Sequence, residues 1–150
     1  MYVPPEEYPW LNVSHSVQIT ESKKNGKKFY IVEDNKGVFP FEVKRYYITS
    51  GDARDKVGGH CHFVEGEVFI CVQGRMKLVT DKYGGRKMAQ MVCSGEDVHV
   101  PKLVWHEIEF MENNTVFIAL SSTLYDASRK DYCENYEDFC KLIEDKNDKA

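Results

Sequence analysis

Four absences narrow the reading of this 150-residue chain before any motif is considered. No apolar run approaches the ~18 to 20 residues that a membrane-spanning helix needs. The opening Met1-Tyr2-Val3-Pro4-Pro5-Glu6-Glu7 has neither the basic nor the apolar region of a secretion signal. A cytoplasmic protein without a membrane partner is therefore expected. Positive charge is not in excess either: the net charge is -4, and the basic run Lys23-Lys24-Asn25-Gly26-Lys27-Lys28 contains no aromatic platform. That argues against a nucleic-acid partner and assigns the run to a solvated hairpin tip. Finally, CxxC spacing is missing. Cys61, Cys71, Cys93, Cys133 and Cys140 form an odd set, which suits reduced thiols rather than a disulfide frame or a zinc knuckle.

What is present fits one soluble domain over residues 1–150, since 42% hydrophobic residues on this length can form a sizeable core. Short β-type runs recur at Val13–Thr20, Lys28–Glu33, Phe41–Ser50, Val68–Thr80, Arg86–Cys93, Val98–Val100, Val104–Met111 and Thr115–Ser121. Gly26, Gly37, Gly51, Gly84-Gly85, Gly95 and Asn113-Asn114 punctuate them. Many strands without intervening helices predict an all-β sandwich or barrel. After Ser128, Tyr132, Tyr136, Phe139, Cys140 and Ile143 take up a helical spacing, so an amphipathic closing helix is expected at about 129–145.

The chemistry gathers at Gly59-His60-Cys61-His62, followed by Glu67, Gly74, Gly95, Pro101 and His106. In a strand, His60 and His62 share one face while Cys61 points to the other, which makes Cys61 a packed thiol rather than a nucleophile. In Val104-Trp105-His106-Glu107-Ile108, His106 shares its face with Val104 and Ile108, the apolar and therefore interior side. Three converging buried imidazoles are costly unless paired or used. Lone histidines such as His15 and His99 are read as satisfied core residues instead.

The spacing His-x-His-x4-Glu-x6-Gly from His60 to Gly74, with Gly95, Pro101 and His106, resembles the cupin signature, although Leu103 stands where glycine is usual. The resemblance implies a double-stranded β-helix, or jelly roll, with a short C-terminal helix. In cupins the two histidines, the glutamate and the later histidine commonly bind a divalent metal, for which this donor set is chemically suited. A narrower resemblance covers nearly the whole chain. Pro40 to Ile48, His60-Cys61-His62, Val104-Trp105-His106-Glu107, Ser121 to Asp126, Asp131-Tyr132 and Tyr136 to Phe139 are similar to the WxcM-like cupins, which are sugar 3,4-ketoisomerases acting on dTDP-4-keto-6-deoxyglucose. This resemblance implies a dTDP-sugar substrate, no metal or other cofactor, a homodimer, and a place in making 3-amino-3,6-dideoxy sugars for bacterial surface glycans such as lipopolysaccharide. Two departures stand out: Val57-Gly58-Gly59 precedes His60 where the family carries an arginine, leaving Arg54 as a substitute, and Glu67 replaces the more usual glutamine.

Moving a carbonyl from C4 to C3 needs a base for the C3 proton, stabilisation of an enediolate, and a proton for C4. His62 is the expected base with His60 as relay or orienting partner, because an imidazole titrates close to working pH. Alternation from Phe41 to Thr49 places Arg45 and Tyr47 on one face; if Phe41 and Val43 mark the interior, both reach the pocket and steady the developing oxyanion. His106 is expected to contact substrate, Arg75 and Lys77 to meet phosphate, and Lys102 to approach the diphosphate from the rim. Tyr46 and Trp105 are assigned to packing or a dimer interface. The alternatives are a metal-dependent cupin enzyme using His60, His62, Glu67 and His106, and a non-catalytic sugar-binding cupin.

Overall fold

The computed structural model describes residues 18–33 and 39–149. Its first two strands, β1 (Gln18–Lys24) and β2 (Lys27–Glu33), pair antiparallel. Asn25 and Gly26 turn the hairpin with φ 53° and 72°, the left-handed pair that Asn-Gly supplies most readily. The basic run is thus an exposed hairpin tip, as expected. Residues 13–17 of the expected first strand, and His15, lie outside the described residues.

Nine further strands follow: β3 (Arg45–Gly51), β4 (Lys56–His62), β5 (Glu67–Gln73), β6 (Arg75–Asp81), β7 (Met88–Cys93), β8 (Asp97–Val100), β9 (Trp105–Phe110), β10 (Thr115–Ser121) and β11 (Tyr132–Cys133). They form a four-stranded sheet in the order β3-β10-β5-β8 and a five-stranded sheet in the order β11-β4-β9-β6-β7. Every described pairing is antiparallel. This is the expected all-β jelly roll. Alternation sends Phe69, Met76, Leu78, Ile108, Phe110 and Phe117 into one buried core between the sheets.

Three expectations change. The single run Val68–Thr80 is two strands broken at Gly74, whose φ is 77° and where a Cβ would stand 2.4 Å from Thr115 Oγ1. Only glycine fits that left-handed, crowded corner. The closing helix, α1, spans Tyr136–Asn147 rather than starting near 129, because Asn135 caps it by accepting the Asp138 N–H. Upstream, Tyr132 and Cys133 extend the sheet instead, opposite His62 and Cys61. Phe139 and Ile143 then cover Cys61 and Trp105 on the outer face of β4 and β9, a burial that stabilises by about 1.5 to 3 kcal/mol per large apolar side chain. Finally, Phe41 and Val43 do not mark the interior. They pack with Val68, Ile70 and Leu120 on the opposite face of the four-stranded sheet. The strand begins only at Arg45, so the alternation assumed across Phe41–Thr49 is interrupted before it.

Candidate active site

The site begins with a bulge. β4 pairs with β9 as Gly58 opposite Glu107 and then His60 opposite His106, which leaves Gly59 as the extra residue. Gly58 and Gly59 have φ 87° and 77°, and a Cβ on Gly58 would lie 2.8 Å from the His106 carbonyl. A bulge of this kind re-aims the side chains that follow it. Here it sets His60 against His106 with ring centroids 4.6 Å apart, while His62 sits 4.8 Å from His60. His60 Nε2 and His62 Nε2 are 3.2 Å apart.

The other sheet supplies an arginine, a phenol and a carboxylate. Arg45, Ser121 and Glu67 form one row across β3, β10 and β5, and Tyr47, Ala119 and Phe69 form the next. Ser121 and Ala119 are small, so the long side chains on either side converge over them. The Tyr47 hydroxyl donates to Glu67 Oε1 at 2.9 Å. Glu67 Oε2 lies 3.3 Å from His106 Nε2 and 3.5 Å from His62 Nε2, close enough for charge attraction but off hydrogen-bond alignment. The Arg45 guanidinium donates to Glu65 Oε1 at 2.8 Å and meets Ser121 Oγ at 3.3 Å.

Together Arg45, Tyr47, His60, Glu67, Tyr125 and Tyr132 line a cavity of about 390 Å³. His62 is 3% exposed and His106 2%, so both stand behind this wall rather than in it. Burial, with the neighbouring His106 and His62, lowers the His60 pKa to about 3, so that ring is neutral. For His62, burial works the other way from the net result: the Glu67 carboxylate 3.5 Å away, with Glu65 and Asp131, outweighs it and raises the pKa. Burial likewise opposes ionisation of Glu67, yet His106 and His62 hold its carboxyl well below the usual range. Burial and the Glu67 carboxylate push the Tyr47 phenol far above 10, which keeps it a proton donor. Ligand atoms of His60, His62, Glu67 and His106 lie within 4.8 Å of one another, a donor set that fits a divalent cation.

The cavity gathers Arg45, Tyr47 and His60 as expected, with His62 and His106 directly behind. It does not gather Arg75, Lys77 or Lys102. Arg75 and Lys77 alternate with the core residues Met76 and Leu78, so they face outward, where Arg75 pairs with Glu112 at 2.6 Å and Lys77 with Glu109 at 2.5 Å. Lys102 lines a separate cavity of about 340 Å³ with Lys82 and Lys146. Arg54 is exposed in a turn and does not line this cavity. Leu103 adopts φ 61°, the conformation for which glycine is usual, and its N–H donates to the His62 carbonyl at 2.7 Å. Cys61 is fully buried and its thiol is pushed up to about 12, chiefly by burial, in keeping with an inert packed side chain. His99 stacks edge-on against Phe41 at 5.9 Å, away from the imidazole cluster.

Sequence reasoning misses four residues here: Tyr125 and Tyr132 in the cavity wall, and Glu65 and Asp131 behind it. Asp131 is visible only as a piece of a family pattern, Tyr132 reads as the start of the closing helix although it lies on β11, and Glu65 carries no periodic signal because it sits in the loop between β4 and β5.

A family model described as FdtA, WxcM-like, C-terminal, matches residues 12–144. The TDP-4-oxo-6-deoxy-alpha-D-glucose-3,4-oxoisomerase of Aneurinibacillus thermoaerophilus is 29% identical over 113 residues, covering 75% of this chain and 79% of its own. Among solved structures, a 3,4-ketoisomerase from Helicobacter canadensis aligns with a TM-score of 0.72 at 21% identity, over 84% of this chain and 93% of that one. A histidine-to-asparagine mutant of the 3,4-ketoisomerase QdtA from Thermoanaerobacterium thermosaccharolyticum, in complex with TDP-4-keto-6-deoxyglucose, aligns with a TM-score of 0.72 at 20% identity, over 88% and 96%.

Proposed function

The chain belongs to the FdtA, WxcM-like C-terminal family, and from that premise we propose that it is a nucleotide-sugar 3,4-ketoisomerase, moving the keto group of a dTDP-4-keto-6-deoxyhexose from C4 to C3. The observation that carries the reading is the pairing, in one cavity, of a neutral imidazole and a protonated phenol, His60 and Tyr47. The named activity of the Aneurinibacillus relative supports the same reaction.

The steps balance within the substrate. The His60–His62 pair removes the C3 proton, and the electron pair left behind forms the C3=C4 bond as the C4 oxygen becomes an enediolate. His60 meets the cavity but is a poor resting place for a proton at a pKa of about 3. His62, 3.2 Å behind it and with a raised pKa, is the better one. The proton thus passes inward, which revises the expected division of labour: His60 receives and His62 stores. Tyr47 donates to the developing oxyanion and Arg45 steadies its charge. The C3 hydroxyl proton then returns to the Tyr47 oxygen, which gave its own to the C4 oxygen, and the C3 carbonyl forms as the C4 carbon takes up the proton held by the histidine pair. Tyr125 and Tyr132 provide aromatic walls for the sugar nucleotide.

The residues need no metal for these transfers. A metal-dependent reading would use His60, His62, Glu67 and His106 as ligands, and a cation held there would polarise the sugar oxygens. Exposed Tyr46 and Ile48 on the edge strand β3 support a homodimer through the outer face of that sheet. No helix among the described residues is long and apolar enough to cross a membrane, and the enzyme is proposed to act in the cytoplasm, supplying 3-amino-3,6-dideoxy sugars for surface glycans such as lipopolysaccharide. The test is incubation with dTDP-4-keto-6-deoxyglucose in chelator, followed by NMR of the product. A 3-keto product at undiminished rate is expected. No product in chelator, restored by a stoichiometric divalent metal, moves the assignment to the metal-dependent enzyme; tight binding without turnover in either condition moves it to a sugar-binding protein.

A further inference from the structure

We propose that Glu65 and Asp131, neither of which lines the cavity of Arg45 and His60, are positioning residues of the reaction: Glu65 fixes the Arg45 guanidinium and Asp131 fixes the His62 ring. The inference rests on the ketoisomerase reading for what Arg45 and His62 do, but on geometry alone for how they are held.

Glu65 is 3% exposed in a loop, where a carboxylate is expected to reach solvent. Both its oxygens are engaged. Oε1 accepts from Arg45 Nη2 at 2.8 Å, and Oε2 accepts from Thr123 Oγ1 at 2.5 Å. Arg45 Nη2 is also 3.3 Å from Ser121 Oγ, and the Ser121 oxygen itself donates to the Thr123 carbonyl at 3.2 Å. The guanidinium is therefore tethered from behind through Nη2, which meets both Glu65 and Ser121, while its buried Nε has no protein partner. A charged bond of this kind fixes the end of a long side chain and leaves the rest of its fork for a substrate oxygen.

Asp131 anchors the same loop from the other side. Its Oδ1 accepts the Val64 N–H at 2.7 Å and its Oδ2 the Glu65 N–H at 3.1 Å. The same Oδ2 lies 3.2 Å from His62 Nδ1, a buried ring nitrogen for which Asp131 is the near acceptor, reached obliquely. A carboxylate beside Nδ1 favours the tautomer protonated there, leaving Nε2 to face His60 and Glu67. One carboxylate thus sets the ring that stores the proton and, through the loop, the carboxylate that sets the cation. A displacement of about 1 Å in either costs on the order of 10²-fold in rate.

The test is a pair of double-variant cycles measured with dTDP-4-keto-6-deoxyglucose, with ¹⁵N NMR of the His62 ring as an independent readout. Glu65→Ala is expected to reproduce the kcat and KM changes of Arg45→Ala, and the combined variant to be no worse than Arg45→Ala alone, as for groups acting through one another. Asp131→Asn is expected to lower kcat about 10- to 100-fold at unchanged KM, to add nothing to His62→Asn, and to shift the His62 ring toward the Nε2-protonated tautomer. Glu65→Gln, which keeps the side chain's volume and one acceptor, guards against simple unfolding and should retain more activity than Glu65→Ala. Multiplying losses in the combined variants, or an unchanged His62 tautomer in Asp131→Asn, overturns the proposal. If the wild-type chain does not isomerise the sugar, the functional reading fails, and the tautomer measurement decides the positioning role without it.

Discussion

Arg45 and Lys77 both carry a positive charge on a strand and both pair with a glutamate, but on opposite sides of the barrel wall. The Lys77–Glu109 pair is 33% and 22% exposed, and the neighbouring Arg75–Glu112 pair 51% and 44%. Such pairs are screened by water and contribute about 0 to 1 kcal/mol. The Arg45–Glu65 pair is 18% and 3% exposed, so water screens it less. Removing one partner of a buried pair leaves an uncompensated charge, which costs about 3 to 5 kcal/mol. Outside, a charge pair is a solubility device; inside, it constrains geometry, and only there can it do chemistry.

Substitutions in the two regions should separate accordingly. The largest effect is expected from His62→Asn, which removes the storing member of the imidazole pair and should lower the isomerisation rate by ~10² to 10⁴ with the fold intact. Rate measurement beside a thermal melt checks this; retention of more than half the activity sinks the role of His62. Next comes Tyr47→Phe, which deletes only a hydroxyl. Turnover should fall by about 10²-fold while deuterium exchange at C3 slows without being abolished, since the histidine pair still takes the proton but the oxyanion loses a donor; exchange at the undiminished rate would remove Tyr47 from the enediolate-forming step.

A smaller effect is expected in the pH dependence of stability. His60 takes up a proton near 6.5 when unfolded and near 3 when folded. Below 6.5 the unfolded chain therefore binds the extra proton, and stability falls as pH drops. His99, lowered by burial, acts in the same sense, whereas the raised His62 contributes a constant amount below 6.5 and Glu67 adds its own loss only toward its ordinary 4.5. Between pH 6.5 and 4.5, replacing His60 with Gln should flatten the slope by up to about 1.4 kcal/mol per pH unit. Chemical denaturation across that window is the measurement, and parallel curves for the two proteins would mean that His60 is not held neutral. The smallest effect belongs to the outer face: Arg75→Ala and Lys77→Ala should leave KM unchanged and shift stability by no more than about 0.5 kcal/mol. A raised KM for either would return the outer face of β6 to the binding site.

The all-β architecture, the inward face of β9 and the convergence of His60, His62 and His106 were legible in the residue order, because period-2 alternation and turn residues are local properties of the chain. That order also put Arg45 and Tyr47 in the pocket, although through an alternation from Phe41 that the fold does not keep. The rest depends on contacts between residues far apart in the chain. The bulge at Gly59 sets His60 opposite His106, Ser121 and Ala119 leave room for Arg45 and Tyr47 to reach across β10, and a loop carboxylate, Glu65, ends up buried behind the arginine. Arg75 and Lys77 could not be told from pocket cations by pattern alone, since alternation names two faces of a strand without saying which one a positive charge will find a partner on. That choice is made by burial: a charge goes inside only where a counter-charge from a distant part of the chain is already waiting, and the distance along the sequence is what hides it.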